Sequence, residues 1–203
     1  MNAFWIKRRR RPNNRRDYMR LRPWVLQDWD VNKGRPDSQL ILLFFRFAQY
    51  FLMNSLPGKR LVPFAYKALT SGMLGLELPP SLPVGPRLRL YHPHGIVVNP
   101  HSSLGADCHL RHGVTIGNAI SLDGSEVGVA QIGNSVELGA GAIVIGDIEV
   151  GDGARIGAGA VVVKPVPAGG VVVGNPARLV RQLPTRNEHP GRSSSDHDSE
   201  IEP

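Results

Sequence analysis

Five of the seven histidines in this 203-residue chain, His92, His94, His101, His109 and His112, lie between positions 92 and 112. Imidazole titrates near neutral pH, so such a cluster can take a proton from a reacting hydroxyl or ligate a metal ion. The single cysteine, Cys108, sits in the same stretch, as either a nucleophile or a small core residue. One cysteine cannot close an intramolecular disulfide, and a reducing compartment is the default.

The element that must position these groups is a repeat. Aliphatic residues are spaced six apart at Leu78, Val84 and Leu90, again at Val98, Leu104, Leu110 and Ile116, and again at Ile132, Leu138, Val144, Val150, Ile156 and Val162. Four positions after every anchor but Leu90 comes a small or aliphatic residue: Leu82, Leu88, Ser102, Cys108, Val114, Ile120, Val136, Ala142, Ile148, Ala154, Ala160 and Val166. Glycine follows the anchor at Gly85, Gly105, Gly117, Gly133, Gly139, Gly151 and Gly157. A helix needs a period of 3.6 and an isolated strand a period of two, so neither accounts for six. Three short strands joined by tight corners do, with 18 residues closing one triangular coil whose anchors fill the interior. Asp107, Asn134, Gly141, Gly153 and Gly159 fall at corners, where left-handed backbone favours such residues. About four coils at roughly 4.8 Å each predict a parallel β-helix about 20 Å tall. Cys108 then occupies an inward slot, which makes it structural.

Two interruptions mark where function belongs. Between Leu90 and Val98 two extra residues bulge within YHPHGIVV, and between Ile116 and Ile132 a loop around NAISLDGSEVGVAQ must leave the stack.

Outside the repeat the chain changes character. Lys and Arg number 24 against 17 Asp and Glu, but Lys7, Arg8, Arg9, Arg10, Arg11, Arg15, Arg16, Arg20 and Arg22 crowd the start. That segment reads as a solvated arm, with attraction to an anionic membrane surface as the alternative. It lacks the aromatic platform or recognition helix that nucleic-acid binding requires. No apolar signal-peptide run follows it, so secretion is not expected and the chain reads as cytoplasmic. From Ser38, a plausible N-cap, to Gly75 the pattern is helical with a break at Pro57-Gly58. Arg46, Gln49 and Asn54 make Leu40 to Leu56 short and polar for a spanning helix. A buried, oligomer-forming helix is the first reading and an interfacial membrane helix the second. The chain thus divides into a basic, largely irregular arm (1–37), a helical segment (38–76) able to cap the stack, a β-helix (77–181) and a polar tail (182–203) expected to be disordered. Aromatic content of 6% with 23 glycines argues against an ordinary helix bundle.

The array from Leu78 to Val162, followed by VKPVPAGGVVVGNPARLV, resembles the acyl-CoA-dependent acyltransferases with left-handed β-helices. Within them GLELPPSLPVGPRLRLYHPHGIVVNPH, LRHGVTIGN, QIGNSVELGAGAIVIGDIEVGDGARIGAGAVV and GNPAR are similar to the serine acetyltransferase group, nearest its short members used for O-acetylation in exopolysaccharide synthesis. The resemblance covers residues 75 to 180, with a weaker trace back to the QDW at 27 to 29, and the pairing of YHPHGIVVN with GNPAR carries it.

The resemblance implies acetyl-CoA as co-substrate and places the family's catalytic histidine at His92, oriented by an acidic residue fifteen positions upstream, here Glu77. A hydroxyl is a poor nucleophile and needs its proton removed as it attacks a thioester; a carboxylate on the far nitrogen would fix the tautomer of the base. Glu77 has the alternative of a residue at the junction with the cap. The resemblance also sets CoA along a groove between subunits of a homotrimer, or of a dimer of trimers, against small residues matching Ala140, Gly141, Ala158 and Gly159. These are equally readable as ordinary corner residues. Lys164 and Arg178 are cations able to meet phosphates, or solvated surface charges. His94 reads as a substrate contact or a loop residue, His112 as lining the cleft between subunits, and His101 and His109 as surface corners. A zinc site of the carbonic-anhydrase-like β-helices is the rival, but its paired histidines five apart are missing, so no metal is expected. Serine-acetylating members carry Asp directly before the catalytic histidine and an Arg-His pair in the later loop; here stand Tyr91 and Gly128-Val129. The countercharges for a free amino acid are thus lost, and a small or saccharide hydroxyl is the expected acceptor, with Tyr91 contacting it. Serine O-acetylation in cysteine biosynthesis is the alternative, and a non-catalytic assembly or membrane-docking β-helix the alternative of another class.

Overall fold

A computed structural model describes residues 21–54, 56–120 and 126–184. Most of it is a stack of coils in which the chain visits three parallel sheets in rotation. The first face holds β1 (Arg89–Tyr91), β4 (His109–Arg111), β8 (Glu137–Leu138), β11 (Arg155–Ile156) and β13 (Gly170–Val173). The second holds β2 (Val97–Val98), β5 (Thr115–Ile120), β9 (Ile143–Ile145) and β12 (Val161–Val162), and the third β3 (Ser103–Leu104), β7 (Gln131–Ile132) and β10 (Glu149–Val150). Glu77 and Val84 extend the second and third faces below, and Val166 extends the third above, as single parallel bridges.

The register locates every departure from the 18-residue coil. Val97 pairs with Thr115 and Glu137 with Arg155, 18 apart. Arg89 pairs with His109, 20 apart, which puts the two extra residues at His92–His94. Thr115 pairs with Ile143, 28 apart, across a hairpin in which β5 meets β6 (Glu126–Val129) in antiparallel pairing. A third departure was not foreseen: Val150 pairs with Val166, only 16 apart, so the last coil is two residues short.

Every predicted anchor from Leu78 to Val162 is buried, and so is the second inward series apart from Ile120. Ile120 is 73% exposed because β5 continues past the corner into the hairpin. The glycines after the anchors, Gly117 apart, answer to space rather than to turns. A Cβ on Gly105 would lie 2.4 Å from the Gly133 carbonyl oxygen, so stacked coils approach too closely there for any side chain. At the corner between the third and first faces, Asp107, Gly153 and Ser135 take positive φ, whereas Asn134, expected in that role, does not. Asn134 instead bridges three coils, its Oδ1 accepting the Ala106 N–H and its Nδ2 donating to Asp152.

The lower end of the stack would expose a row of unpaired backbone groups and an open core. Helix α1 (Leu21–Val25), a 3-10 turn (Asp30–Asn32), α2 (Pro36–Met53) and α3 (Leu61–Leu74) cover it. Ile41, Leu42, Phe45 and Ala48 of α2 are buried with the core residues of the coils. Side chains also complete the first coil's hydrogen bonds as another coil would. Ser38 donates to the Leu90 carbonyl, Gln49 to that of Leu82, and Asn32 both donates to Leu88 and accepts from the Leu90 N–H. Asp28 accepts the Leu88 N–H and pairs with Arg46, which itself donates to the Val84 and Gly85 carbonyls.

These contacts correct one expectation. Ser38 is not an N-cap: α2 starts at Pro36, and Ser38 is spent on the first coil. Before Pro36 the regular elements among the described residues are α1 and the 3-10 turn. Helix α2 buries Ile41, Leu42, Phe45 and Ala48 on its own chain's coils and leaves Leu40, Phe44 and Met53 exposed, and among the described residues no helix is long and apolar enough to cross a membrane. The basic run up to Arg20 and the tail from residue 185, including the membrane reading of the arm, lie outside the described residues.

Candidate active site

The corner where first-face strands give way to second-face strands is built from one repeated unit. Gly75, Gly95, Gly113, Gly141 and Gly159 stack there with φ between 57° and 69°, a conformation that glycine adopts without strain. Gly75 closes α3 with its N–H on the Thr70 carbonyl, and each of the others donates to the level below: Gly95 to the Leu74 carbonyl at 3.1 Å, Gly113 to His94 at 2.9 Å, Gly141 to His112 at 2.9 Å and Gly159 to Ala140 at 2.8 Å. His94, His112, Ala140 and Ala158 therefore occupy equivalent positions on successive coils. At about 4.8 Å per coil they form an edge about 14 Å long from His94 to Ala158. At Gly141 and Gly159 an added Cβ would meet nothing within 4 Å, so the backbone there is open.

His92 sits at the lower end of this edge. Tyr91 pairs with Arg111 and Gly95 stacks on Gly113, so His92, Pro93 and His94 fill a span that His112 alone fills one coil up. The insertion pushes the loop outward, and His92 is exposed with φ 53°, its ring 6.3 Å from that of His112 at an interplanar angle of 68°. Above Gly159 the GNPAR segment docks on Val161, whose N–H donates to Gly174 and whose carbonyl accepts from Ala177. Arg178 follows there at the start of β14 (Arg178–Gln182), exposed, its guanidinium donating to the Ala177 carbonyl at 3.1 Å.

Not every candidate joins this edge. Glu77 lies outward on the second face beneath Val97 and lines a cleft of about 630 Å3 under α3. It is exposed, and no hydrogen bond joins its carboxylate to His92. Lys164 follows β12 at the corner between the second and third faces, on a different edge of the stack. Tyr91 is held on the first face between the guanidinium groups of Arg35 and Arg111, 4.5 and 4.9 Å from its ring centre, with the ring edge against His109. His101 is an exposed corner residue as expected, but His109 is not a corner residue: it lies half-buried on β4. Burial lowers the His109 pKa and nearby Arg89 does the same, with Glu137 opposing. Among the described residues no three His, Cys, Asp or Glu side chains are grouped to hold a metal ion.

Cys108 is buried inside the coil with its Sγ 3.2 Å from the Gly133 carbonyl, and burial pushes its thiol pKa up to about 12. A thiolate is the reactive form, so this residue is inert. Native protein is expected to resist iodoacetamide at about pH 8 while unfolded protein is modified, and Cys108→Ala to keep acetyl transfer within about 2-fold of wild type. Rapid native alkylation would contradict this.

Residues that sequence reasoning missed belong to the cap and the cleft. Asp28 and Asn32 gave no signal beyond the QDW trace, and Arg46 and Gln49 only that of polar residues in an apolar helix. Tyr66, which lines the cleft, gave none.

Comparison with known proteins bears on the whole arrangement. The bacterial transferase hexapeptide family (six repeats) matches residues 130–164. WcaB of Escherichia coli (strain K12), assigned as a colanic acid biosynthesis acetyltransferase, is 39% identical over 162 residues, covering 76% of this chain and 98% of its own. The serine acetyltransferase of Neisseria gonorrhoeae superposes with a TM-score of 0.68 at 27% identity, over 83% of this chain and 68% of its own. A serine acetyltransferase solved in complex with CoA superposes with a TM-score of 0.59 at 30% identity, over 69% of this chain and 55% of its own. A relative this similar over nearly its full length decides against a non-catalytic module. With its hexapeptide coils, its histidine-bearing insertion and its GNPAR segment, this chain belongs to the serine acetyltransferase-like hexapeptide-repeat acyltransferases.

Proposed function

We propose that the chain transfers acetyl from acetyl-CoA to a saccharide hydroxyl, with His92 as general base. The observation that carries this reading is the single edge on which His92, His94 and His112 stand below Ala140-Gly141, Ala158-Gly159 and Arg178. Open backbone at Gly141 and Gly159 suits the narrow pantetheine arm of CoA, and Arg178 at the upper end suits its phosphates. The thioester then lies by the histidines, about 14 Å lower. His92 takes the acceptor's proton as its oxygen attacks the thioester carbon. As the carbon–sulfur bond breaks, that proton goes to the departing thiolate. His94 and His112 hold the acceptor. Glu77 is the orienting carboxylate: it follows Gly75 by two residues, His92 precedes Gly95 by three, and Gly75 stacks by Gly95, so the two flank one corner. Neither side chain has another hydrogen-bond partner among the described residues, so both are free to turn toward that corner.

The three-sided winding is that of a left-handed β-helix, divided as the repeat suggests, with the stack from about residue 77 to 181. The groove along the edge is completed by a neighbouring copy in a homotrimer. Lys164, on another edge, belongs to the groove as that copy's contribution. A cytoplasmic location fits a buried, reduced Cys108.

Tyr91 argues against serine as acceptor. Its ring is occupied by Arg35 and Arg111, and it supplies no carboxylate for an ammonium group. In an acceptor screen with labelled acetyl-CoA, sugars are expected to be acetylated and serine to fall at least about 100-fold behind in kcat/KM, as befits a site lacking the countercharges. Efficient O-acetylserine formation would make this enzyme a serine acetyltransferase.

A further inference from the structure

The first face runs up to the reaction corner, and its outward side is charged. Arg89, His109, Glu137 and Arg155 stack there in one column, and Tyr91 pairs with Arg111 in the next, nearer the corner. Arg35, the last residue before α2, brings a further guanidinium over the Tyr91 ring. Glu137 is the only acidic residue in the six strands of this sheet, against Arg89, Arg111, Arg155, Arg178 and Arg181. Its carboxylate lies 3.7 Å from Arg155 and 4.0 Å from His109 Nδ1. Among the described residues no carboxylate forms a salt bridge with Arg35, Arg89 or Arg111.

Two observations set this cluster apart from solvated surface charge. The first is space. A Cβ on Gly139 would lie 2.5 Å from the Ala158 nitrogen and one on Gly157 2.8 Å from Val173 Cγ1, so close stacking excludes side chains directly above Arg111. What is left is a hollow of about 110 Å3 bordered by Tyr91, His109, Arg111, Glu137 and Arg155. That is well below the roughly 300–1,000 Å3 of a pocket for a whole ligand, and it fits one substituent. The second is position. Arg111 directly precedes His112 and Tyr91 directly precedes His92, so the hollow opens one residue from the imidazoles. His109 registers the local field: besides burial, Arg89 and Arg111 lower its pKa against Glu137 and Asp107. Guanidinium groups gathered beside an open hollow favour an anion, and the Tyr91 ring holds the Arg111 fork in place at 4.9 Å.

Building on the acetyl-transfer reading, we propose that the hollow binds an anionic substituent of the saccharide acceptor, a carboxylate or a phosphate, through the Arg111 guanidinium. Arg35 and Arg89 add to the field, and the acceptor's reacting hydroxyl reaches across the corner to His92 and His112. The enzyme is then selective for acidic over neutral saccharides. Serine gains nothing from this site, because its ammonium group lies beside its carboxylate and meets the same arginines.

The test is calorimetric binding of methyl β-D-glucopyranoside, methyl β-D-glucosiduronic acid and α-D-glucose 1-phosphate to the full chain with CoA present, with acetyl transfer from acetyl-CoA to each measured in parallel. At least one charged sugar is expected to bind about 10-fold or more tightly than the neutral one, and to lose most of that margin in about 0.5 M salt. Tighter binding of the uronic acid identifies a sugar acid as the source of the anion, and tighter binding of the phosphate a phosphorylated sugar. Arg111→Gln should bring the three sugars within about 3-fold of one another, whereas Arg111→Lys should keep part of the margin. Because Arg111 is exposed, unchanged acetyl-CoA binding and Tm are expected in both variants and report that they are folded. Equal binding of charged and neutral sugars, a margin that survives Arg111→Gln, or loss of acetyl-CoA binding in Arg111→Gln at unchanged Tm would overturn the proposal, the last by assigning Arg111 to CoA. Because binding is read without turnover, an Arg111-dependent margin without acetylation of any saccharide would sink the saccharide reading and uphold the anion site. Acetylation of the neutral sugar as readily as the charged ones, with no margin in binding, would do the reverse.

Discussion

His92→Ala is expected to lower kcat for acetyl transfer by about 100- to 10,000-fold, the range that general-base removal produces. KM for acetyl-CoA should change little, because the small-residue edge proposed to carry CoA lies two to three coils above. His92 has a positive φ of 53°, where alanine is strained, so loss in His92→Ala alone could reflect a displaced loop. His92→Asn separates the two, since asparagine tolerates left-handed backbone but cannot act as a base at neutral pH. Both variants should be equally inactive in steady-state kinetics. Retention of activity within a few-fold in His92→Asn would remove His92 from the reaction. His112→Ala, one coil up at the position equivalent to His94, should act mainly on acceptor KM.

The second large effect concerns the cap. Arg46 is wholly buried, pairs with Asp28 at 2.6 Å and donates to the Val84 and Gly85 carbonyls and to Gln49. Arg46→Ala leaves a buried carboxylate without its partner and two coil carbonyls unbonded. The expected cost is about 3–5 kcal/mol, a fall in Tm of about 6–20 °C, read by denaturant and thermal unfolding. Buried ion pairs replaced jointly by apolar residues are often no worse than the pair. Here the pair also serves as the hydrogen-bonding edge for Leu88, Val84 and Gly85, so Asp28→Leu combined with Arg46→Met should not recover wild-type stability. Full recovery would show that the apolar contacts of α2 suffice to close the stack.

The same pair shows where sequence reading stops. Period six is a local property: every coil needs an inward aliphatic residue at the same phase, so each anchor from Leu78 to Val162 could be named from spacing alone and each is buried. The two-residue bulge at His92–His94 and the departure after Ile116 were legible for the same reason, as breaks in phase. Ile120 and Asn134 were misread because phase says nothing about which strand runs on into a hairpin, or which of two adjacent corner residues takes the left-handed backbone. Ser38, Asp28 and Arg46 were misread or missed because the coil groups they meet, at Leu90 and from Val84 to Leu88, are distant in sequence and are backbone atoms, which leave no residue-type signal.

The candidate site divides along the same line. The resemblance to the serine acetyltransferase group singled out His92, Glu77, Ala140, Gly141, Ala158, Gly159 and Arg178. Tertiary structure alone decided that the histidines, the small residues and the GNPAR segment share one edge while Lys164 stands on another, that Tyr91 is occupied by two arginines, and that α3 leaves a cleft above Glu77. The sequence by itself therefore determined the coil and its interior, because both follow from a repeated local geometry. Which outward side chains meet was decided only in three dimensions, because it depends on how insertions shift the register between coils and on where the helices come to rest.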